Sequence, residues 1–168
     1  MFYRVRQFYD GLFPRISSKD LQLVHSFLSG ALLHLFQSQS PADQRHALDV
    51  AIELLQKHDS LSPSQERSLI QAALLHDCGK IRYPLKIWQR VYIVLSAKLP
   101  YPAQEFLKGL TKYRSLSFPL ILAQQHPKWG ATLAAEAGLS KEAVELILNH
   151  HNPCSDAGEL LNIVDNRH

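Results

Sequence analysis

His46, the adjacent pair His76 and Asp77, His126, the adjacent pair His150 and His151, and Asp165 are the groups of this sequence best suited to hold a metal ion. Imidazole nitrogens and carboxylate oxygens without thiolate suit iron, manganese, cobalt, nickel, zinc or magnesium. A cation held by such a set turns bound water into a nucleophile near neutral pH, because the charge stabilises the conjugate base. The chain has 9 His, more than solubility or packing requires. His25, His34, His58 and His168 read singly as ordinary core or surface residues and do not enter the set. The pair His76-Asp77, followed by Cys78-Gly79-Lys80, also fits a helix C-terminus where cationic groups meet the negative end of the dipole, and the tandem histidines fit a similar cap. The joint order of all seven residues weakens these separate readings.

Each of these residues falls near the end or in the first turns of a helix read from the apolar period. Ser17, Ser18 and Asp20 open a stripe through Leu21, Val24, Leu28, Leu32 and Leu35. Ser40-Pro41-Ala42-Asp43 reads as an N-cap, a first-turn proline and an early acid, with His46 in the second turn. Ser62-Pro63 opens a helix through Leu69, Ile70, Ala73 and Leu74, placing His76 and Asp77 in its last turn, with Gly79 as the stop. After Pro84, Leu85, Trp88, Val91, Tyr92, Leu95 and Leu99 form an amphipathic helix closed by Pro100 and Pro102, with a shorter helix through Phe106. Residues 118–125 are apolar without a clear period, and Pro127 then begins a helix that Gly138 ends. Ser140 caps a helix over Lys141 to His151, and the last helix runs from about Asp156 to Asp165. No sustained strand alternation occurs, so the fold class is all-α. A helical bundle holds imidazoles and carboxylates in fixed geometry, which is what a metal site needs.

Composition bounds the rest. At 168 residues the chain reads as a single domain over 1–168. With 46% hydrophobic residues and only 7 Gly it is neither disordered nor collagen-like. A net charge of +3 is too mild to announce a nucleic-acid partner. Cys78 and Cys154 cannot make a disulfide framework and point to a reduced, cytoplasmic protein. Met1 to Arg15 lacks the uninterrupted apolar stretch of an export signal, although Phe2, Val5, Phe8, Tyr9, Leu12 and Phe13 recur at helical spacing. That segment reads as a terminal helix docked on the domain, or else lying on a membrane or partner. The apolar run Val91 to Leu95 falls far short of the ~20 residues of a spanning helix.

The order histidine, His-Asp, further histidines and aspartate resembles the HD-domain superfamily of metal-dependent phosphohydrolases, whose signature pair stands here in Leu74-Leu75-His76-Asp77-Cys78-Gly79-Lys80. The likeness covers about residues 42–166, leaving 1–39 as a helical extension, and includes His126-Pro127 leading to Gly130-Ala131; the extra histidines resemble the binuclear branch containing cyclic-dinucleotide phosphodiesterases and dinucleotide tetraphosphate hydrolases. The resemblance implies that His46, His76, Asp77 and Asp165 hold one divalent metal, and that Asp77 bridges to a second held by His126, His150 and His151. It further implies hydrolysis of a phosphoester or phosphoanhydride in a small, nucleotide-like substrate by a metal-bound hydroxide; Asp77 and Lys80 are the catalytic candidates, Lys80, one turn past the pair, as a contact to a phosphate oxygen, with an exposed helix-end lysine as the alternative. A sensor or adaptor that keeps the framework without turnover, and an iron-dependent oxygenase, are the alternative outcomes. Asn152-Pro153-Cys154-Ser155-Asp156 stands where the cyclic-dinucleotide enzymes carry an acid and a Gly-Tyr-Pro element, which argues against that substrate. The aromatics Trp88, Tyr92, Tyr101, Phe106, Tyr113 and Phe118 read as core of a helical insert, with base stacking as the alternative.

Overall fold

The computed structural model describes residues 15–56 and 61–168; the expected helix over Phe2 to Phe13 and the set-aside His58 lie outside the described residues. The described chain is all-α, with no strand among the described residues. In order the elements are α1 (Ser18–Phe27), α2 (Gly30–Gln37), α3 (Pro41–Leu55), α4 (Pro63–Leu75), a 3-10 turn (Cys78–Arg82), α5 (Ile87–Ser96), α6 (Tyr101–Gly109), α7 (Arg114–Glu136), α8 (Lys141–Leu148) and α9 (Asp156–Asp165).

Serine side chains set most of the helix starts. Ser17, Ser40, Ser62, Ser140 and Ser155 each accept a hydrogen bond from the backbone N–H three residues on, and Asp20 and Gln65 answer at two of them to complete capping boxes. The core gathers around α4. Ser68 to Leu75 are buried without interruption, so this helix is covered on all sides, with α1, α2, α3, α8 and α9 packed against it. Val24, Leu28, Leu48, Leu54, Leu69, Ile70, Leu74, Ile147 and Leu161 form the interior.

Four elements differ from the sequence expectation. The first stripe is two helices, because Leu28 is extended and Gly30 has a φ of 54°, a conformation suited to glycine. α4 ends at Leu75, so His76 is its C-cap and Asp77 lies beyond it. Gly79 has no positive φ and does not stop the helix; it lies in the 3-10 turn, packed against the α7 backbone. The apolar stretch 118–125 and the helix expected from Pro127 are one helix, α7, with Pro119 and Pro127 inside it. Pro127 deprives the Ala123 carbonyl of its helical donor, and Ala123 lies in the wall of an open cleft rather than in the dry core. α8 stops at Leu148, so the tandem histidines stand on the turn after it. Gly138, with φ 88°, does end α7: its N–H and that of Leu139 donate to Ala135 and Ala134, both at 3.0 Å.

Candidate metal centre

Five elements deliver the seven side chains. His46 comes from α3, His76 and Asp77 from the end of α4, His126 from the middle of α7, His150 and His151 from the turn after α8, and Asp165 is the last residue of α9. Imidazole rings run through the centre in sequence: His46 and His76 lie 5.2 Å apart between centroids, His76 and His150 5.1 Å, His126 and His150 5.3 Å, and His150 and His151 4.0 Å.

Backbone carbonyls fix the tautomer of three of these rings. Nδ1 of His76 lies 2.8 Å from the Ala73 carbonyl, Nδ1 of His126 3.1 Å from Leu122, and Nδ1 of His150 2.7 Å from Ile147. A carbonyl only accepts, so each Nδ1 carries the proton and, in the neutral ring, each Nε2 presents a lone pair. Those three Nε2 atoms are buried without a hydrogen-bond partner. A buried, unpartnered nitrogen costs free energy, and three aimed into one centre fit the orientation of metal-ligating histidines. Asn162 holds the tandem turn in place, its Nδ2 donating to the His150 carbonyl at 2.6 Å.

The ligand atoms fall into two triads, His46 with His76 and Asp165, and His126 with His150 and His151, each within 4.8 Å of one another and each able to hold a metal ion. Asp77 stands between them. Its Oδ1 lies 3.2 Å from Nε2 of His126, while Oδ2 lies 3.6 Å from Nε2 of His76 and 4.0 Å from Nε2 of His46. Asp165 Oδ1 lies 2.8 Å from Nε2 of His46 and 3.3 Å from Nε2 of His76. All seven sequence candidates thus converge.

The electrostatics divide the histidines. Burial opposes a charge on His76, but Asp77 and Asp165 outweigh it and raise its pKa to about 9. Burial and the neighbouring His76 push His150 down to about 3, leaving a neutral ring, and burial with His126 lowers His151. Burial of Asp77 works against its ionisation, yet Lys80 and His76 hold it well below the usual carboxylate range; Asp165 is likewise lowered by His46 and His76 against its burial. In metal-free protein His76 therefore contributes stability that is complete below its ordinary pKa of 6.5 and lost as pH rises through about 9. In urea titrations, chelator-treated protein should be less stable at pH 9 than at pH 6.5, and His76→Gln should show a clearly smaller loss over the same interval. Equal losses in the two proteins would contradict this.

An open cleft of about 300 Å³ adjoins the centre, lined by Lys80, Leu85, Arg90, Ile93, His126 and His151 among others. A neighbouring recess of about 200 Å³ shares Lys80, Leu85 and Arg90 and reaches Asp77 and Asp43. A larger hollow of about 460 Å³ between Gln65, Glu142 and Asp156 contains none of the seven candidates. Lys80 pairs with Asp77 and retains 27% exposure toward the cleft. Arg90 went unnoticed in the sequence because its partner is 47 residues away: its two terminal nitrogens each lie 3.0 Å from an oxygen of Asp43, and one also donates to Ser40 at 3.3 Å. Arg45, flanking a candidate ligand, is committed to Asp20 and Asp49. Cys78 belongs to neither triad: burial and Asp77 push its thiol up to about 12 in the metal-free protein, and its Sγ donates to the Gly130 carbonyl at 3.5 Å.

The aromatics behave differently from the core expected of them. Trp88, Tyr101, Phe106 and Tyr113 are exposed, because α5 and α6 pack on α7 without burying these rings. Phe118 does pack, 4.7 Å from Tyr83 and 6.4 Å from Trp129 between centroids.

Compared with protein-family models, residues 44–166 match the one described as HD domain, a span containing all seven candidate ligands. Neither the curated proteins nor the solved structures yielded a match to this chain.

Proposed function

The chain belongs to the HD-domain family, whose members are generally metal-dependent hydrolases, and on that premise we propose that it hydrolyses a phosphoester or phosphoanhydride of a small, nucleotide-like molecule with the help of one or two divalent ions. The observation that carries this reading is the placement of Asp77, whose two carboxylate oxygens face separate triads of ligand atoms. We assign His46, His76, Asp77 and Asp165 to one ion and Asp77, His126, His150 and His151 to the other.

Bound there, the ions would supply Lewis acidity that lowers the pKa of a coordinated water and stabilises charge on the phosphoryl oxygens. The chain's own groups do the rest. The carbonyls of Ala73, Leu122 and Ile147 keep three imidazoles oriented, so little reorganisation is needed when charge develops. Lys80 and Arg90 place two cations at the cleft beside the triads, where they can bind and orient the remaining phosphate oxygens. Asp43 fixes the Arg90 guanidinium in one plane while leaving some of its N–H groups unused. The cleft volume of about 300 Å³ lies at the small end of ligand pockets and suits a compact phosphorylated molecule.

The test is metal analysis of protein purified without chelator, followed by assays on nitrophenyl phosphates, nucleotides and dinucleotides with and without added metal. Metal-dependent turnover of a phosphoester or phosphoanhydride supports the proposal; nucleotide binding without product would assign a sensor instead. Arg90→Ala should raise KM for the best substrate about tenfold while leaving metal content unchanged, as expected for a group binding ground and transition states alike. An unaltered KM would remove Arg90 from the substrate site.

A further inference from the structure

α5 is turned inside out. Ile87, Trp88, Val91, Val94 and Leu95 lie along one side of it and are all exposed, Val94 by 61% and Leu95 by 59%, whereas the polar Gln89 and Ser96 are its buried residues. Gln89 is held inward by hydrogen bonds to the Ser115 carbonyl at 3.1 Å and to Tyr83 Oη at 3.3 Å, so the outward stripe follows from specific contacts. The apolar surface continues through exposed Leu99, Tyr101 and Phe106 into α6 and the turn before it.

The same region carries a concentrated charge. From Lys80 to Lys128 the sequence has nine lysines and arginines against one acid, Glu105, and of these Lys80, Arg90 and Lys108 are paired with Asp77, Asp43 and Glu105. Arg82, Lys86, Lys98, Lys112 and Arg114 are exposed. We propose that the outward face of α5 and α6 is a docking surface for an anionic lipid bilayer.

Exposed aliphatic side chains flanked by cations, with Trp and Tyr among them, are what an interfacial helix presents to the boundary of headgroups and acyl chains. The cations gain from the negative surface potential of an anionic leaflet, a gain that salt screens. A helix of 10 residues is too short to cross and lies in the plane of the interface. Charge also argues against the competing occupants. A two-fold contact with a second copy sets this basic face against itself. The segment before Arg15, with Arg4 and Arg6 against Asp10, is itself net basic. Arg90 and Ile93 of α5 line the cleft, so docking brings the candidate centre close to the bilayer surface.

The full chain should sediment with vesicles of phosphatidylcholine containing phosphatidylglycerol, bind vesicles of phosphatidylcholine alone at least tenfold more weakly, and lose affinity as salt rises. The double variant Val91→Glu, Leu95→Glu should lower partitioning at least tenfold, with melting temperature and metal content unchanged because both side chains are exposed. If that variant misfolds, Lys98→Glu, Lys112→Glu supplies the charge arm of the test and should also cost at least tenfold. Failure of the wild-type chain to bind anionic vesicles overturns the proposal, as does undiminished binding by a folded variant. A dimer that dissociates in the Val91→Glu, Leu95→Glu variant, with vesicles ignored, would assign the face to a second copy.

Discussion

Replacing Asp77 with asparagine is expected to lower kcat/KM by at least a thousandfold, a loss of about 4 kcal/mol of transition-state stabilisation, while the metal-free protein keeps its fold. Asparagine preserves the volume, so no cavity opens beneath the 3-10 turn. What disappears is the charge. Asp77 is the only candidate ligand whose two oxygens face both triads, with Oδ1 3.2 Å from His126 and Oδ2 3.6 Å from His76. A neutral amide offers one oxygen and one N–H₂ donor in its place, and cannot bridge two cations. Metal content should fall with activity. Lys80 loses its partner but retains 27% exposure, so its ammonium can be hydrated and the fold tolerates the change. Circular dichroism and metal analysis beside the assay separate the outcomes. Activity within tenfold of wild type, with metal retained, would remove Asp77 from the reaction.

The second large effect is on stability. Gly79→Ala should destabilise the protein by about 3 kcal/mol or more and lower its melting temperature by roughly 10 °C. A Cβ at this position would lie 2.1 Å from the His126 carbonyl oxygen, 2.7 Å from the Gly130 nitrogen and 2.9 Å from the His126 carbonyl carbon. All three are helix backbone atoms, so no side-chain rotation relieves the overlap and the 3-10 turn must move away from α7. That movement separates Asp77 from His126, and metal binding should weaken with stability. Gly130→Ala is gentler, since its nearest contact is the Gly79 nitrogen at 3.1 Å, and Gly109→Ala meets nothing within 4 Å. Denaturant titration of the three variants should rank them in that order; a Gly79→Ala protein within 1 kcal/mol of wild type would contradict the packing argument.

The contrast between Gly79 and Gly138 explains much of what the sequence discloses. Gly138 ends α7 through a local device, a positive φ and two backbone hydrogen bonds to residues just before it, and local devices are readable. The capping serines belong to the same class, which is why five helix starts agree to within a residue or so. Gly79 serves a contact with a helix almost fifty residues onward, and nothing near it in the chain distinguishes that role from a helix stop. Pro127 misled for a related reason: proline commonly opens a helix, and tolerance of one within α7 depends on the cleft beside Ala123.

The seven candidate ligands were legible because their chemistry is rare in this combination and their order is that of a family. Arg90 was not, since an arginine between Gln89 and Val91 reads as the polar side of an amphipathic helix until Asp43 is found opposite it. The direction in which α5 faces was equally hidden. Its period marks an apolar stripe but does not say which side of the helix meets the core, and buried Gln89 and Ser96 decide that against expectation.

Convergence of the seven side chains on shared cations is tested most directly by anomalous diffraction from crystals of protein loaded with manganese. A peak is expected beside His46, His76 and Asp165, beside His126, His150 and His151, or at both, each within reach of Asp77. Peaks elsewhere on the molecule, or none within coordination distance of these residues at saturating metal, would contradict it.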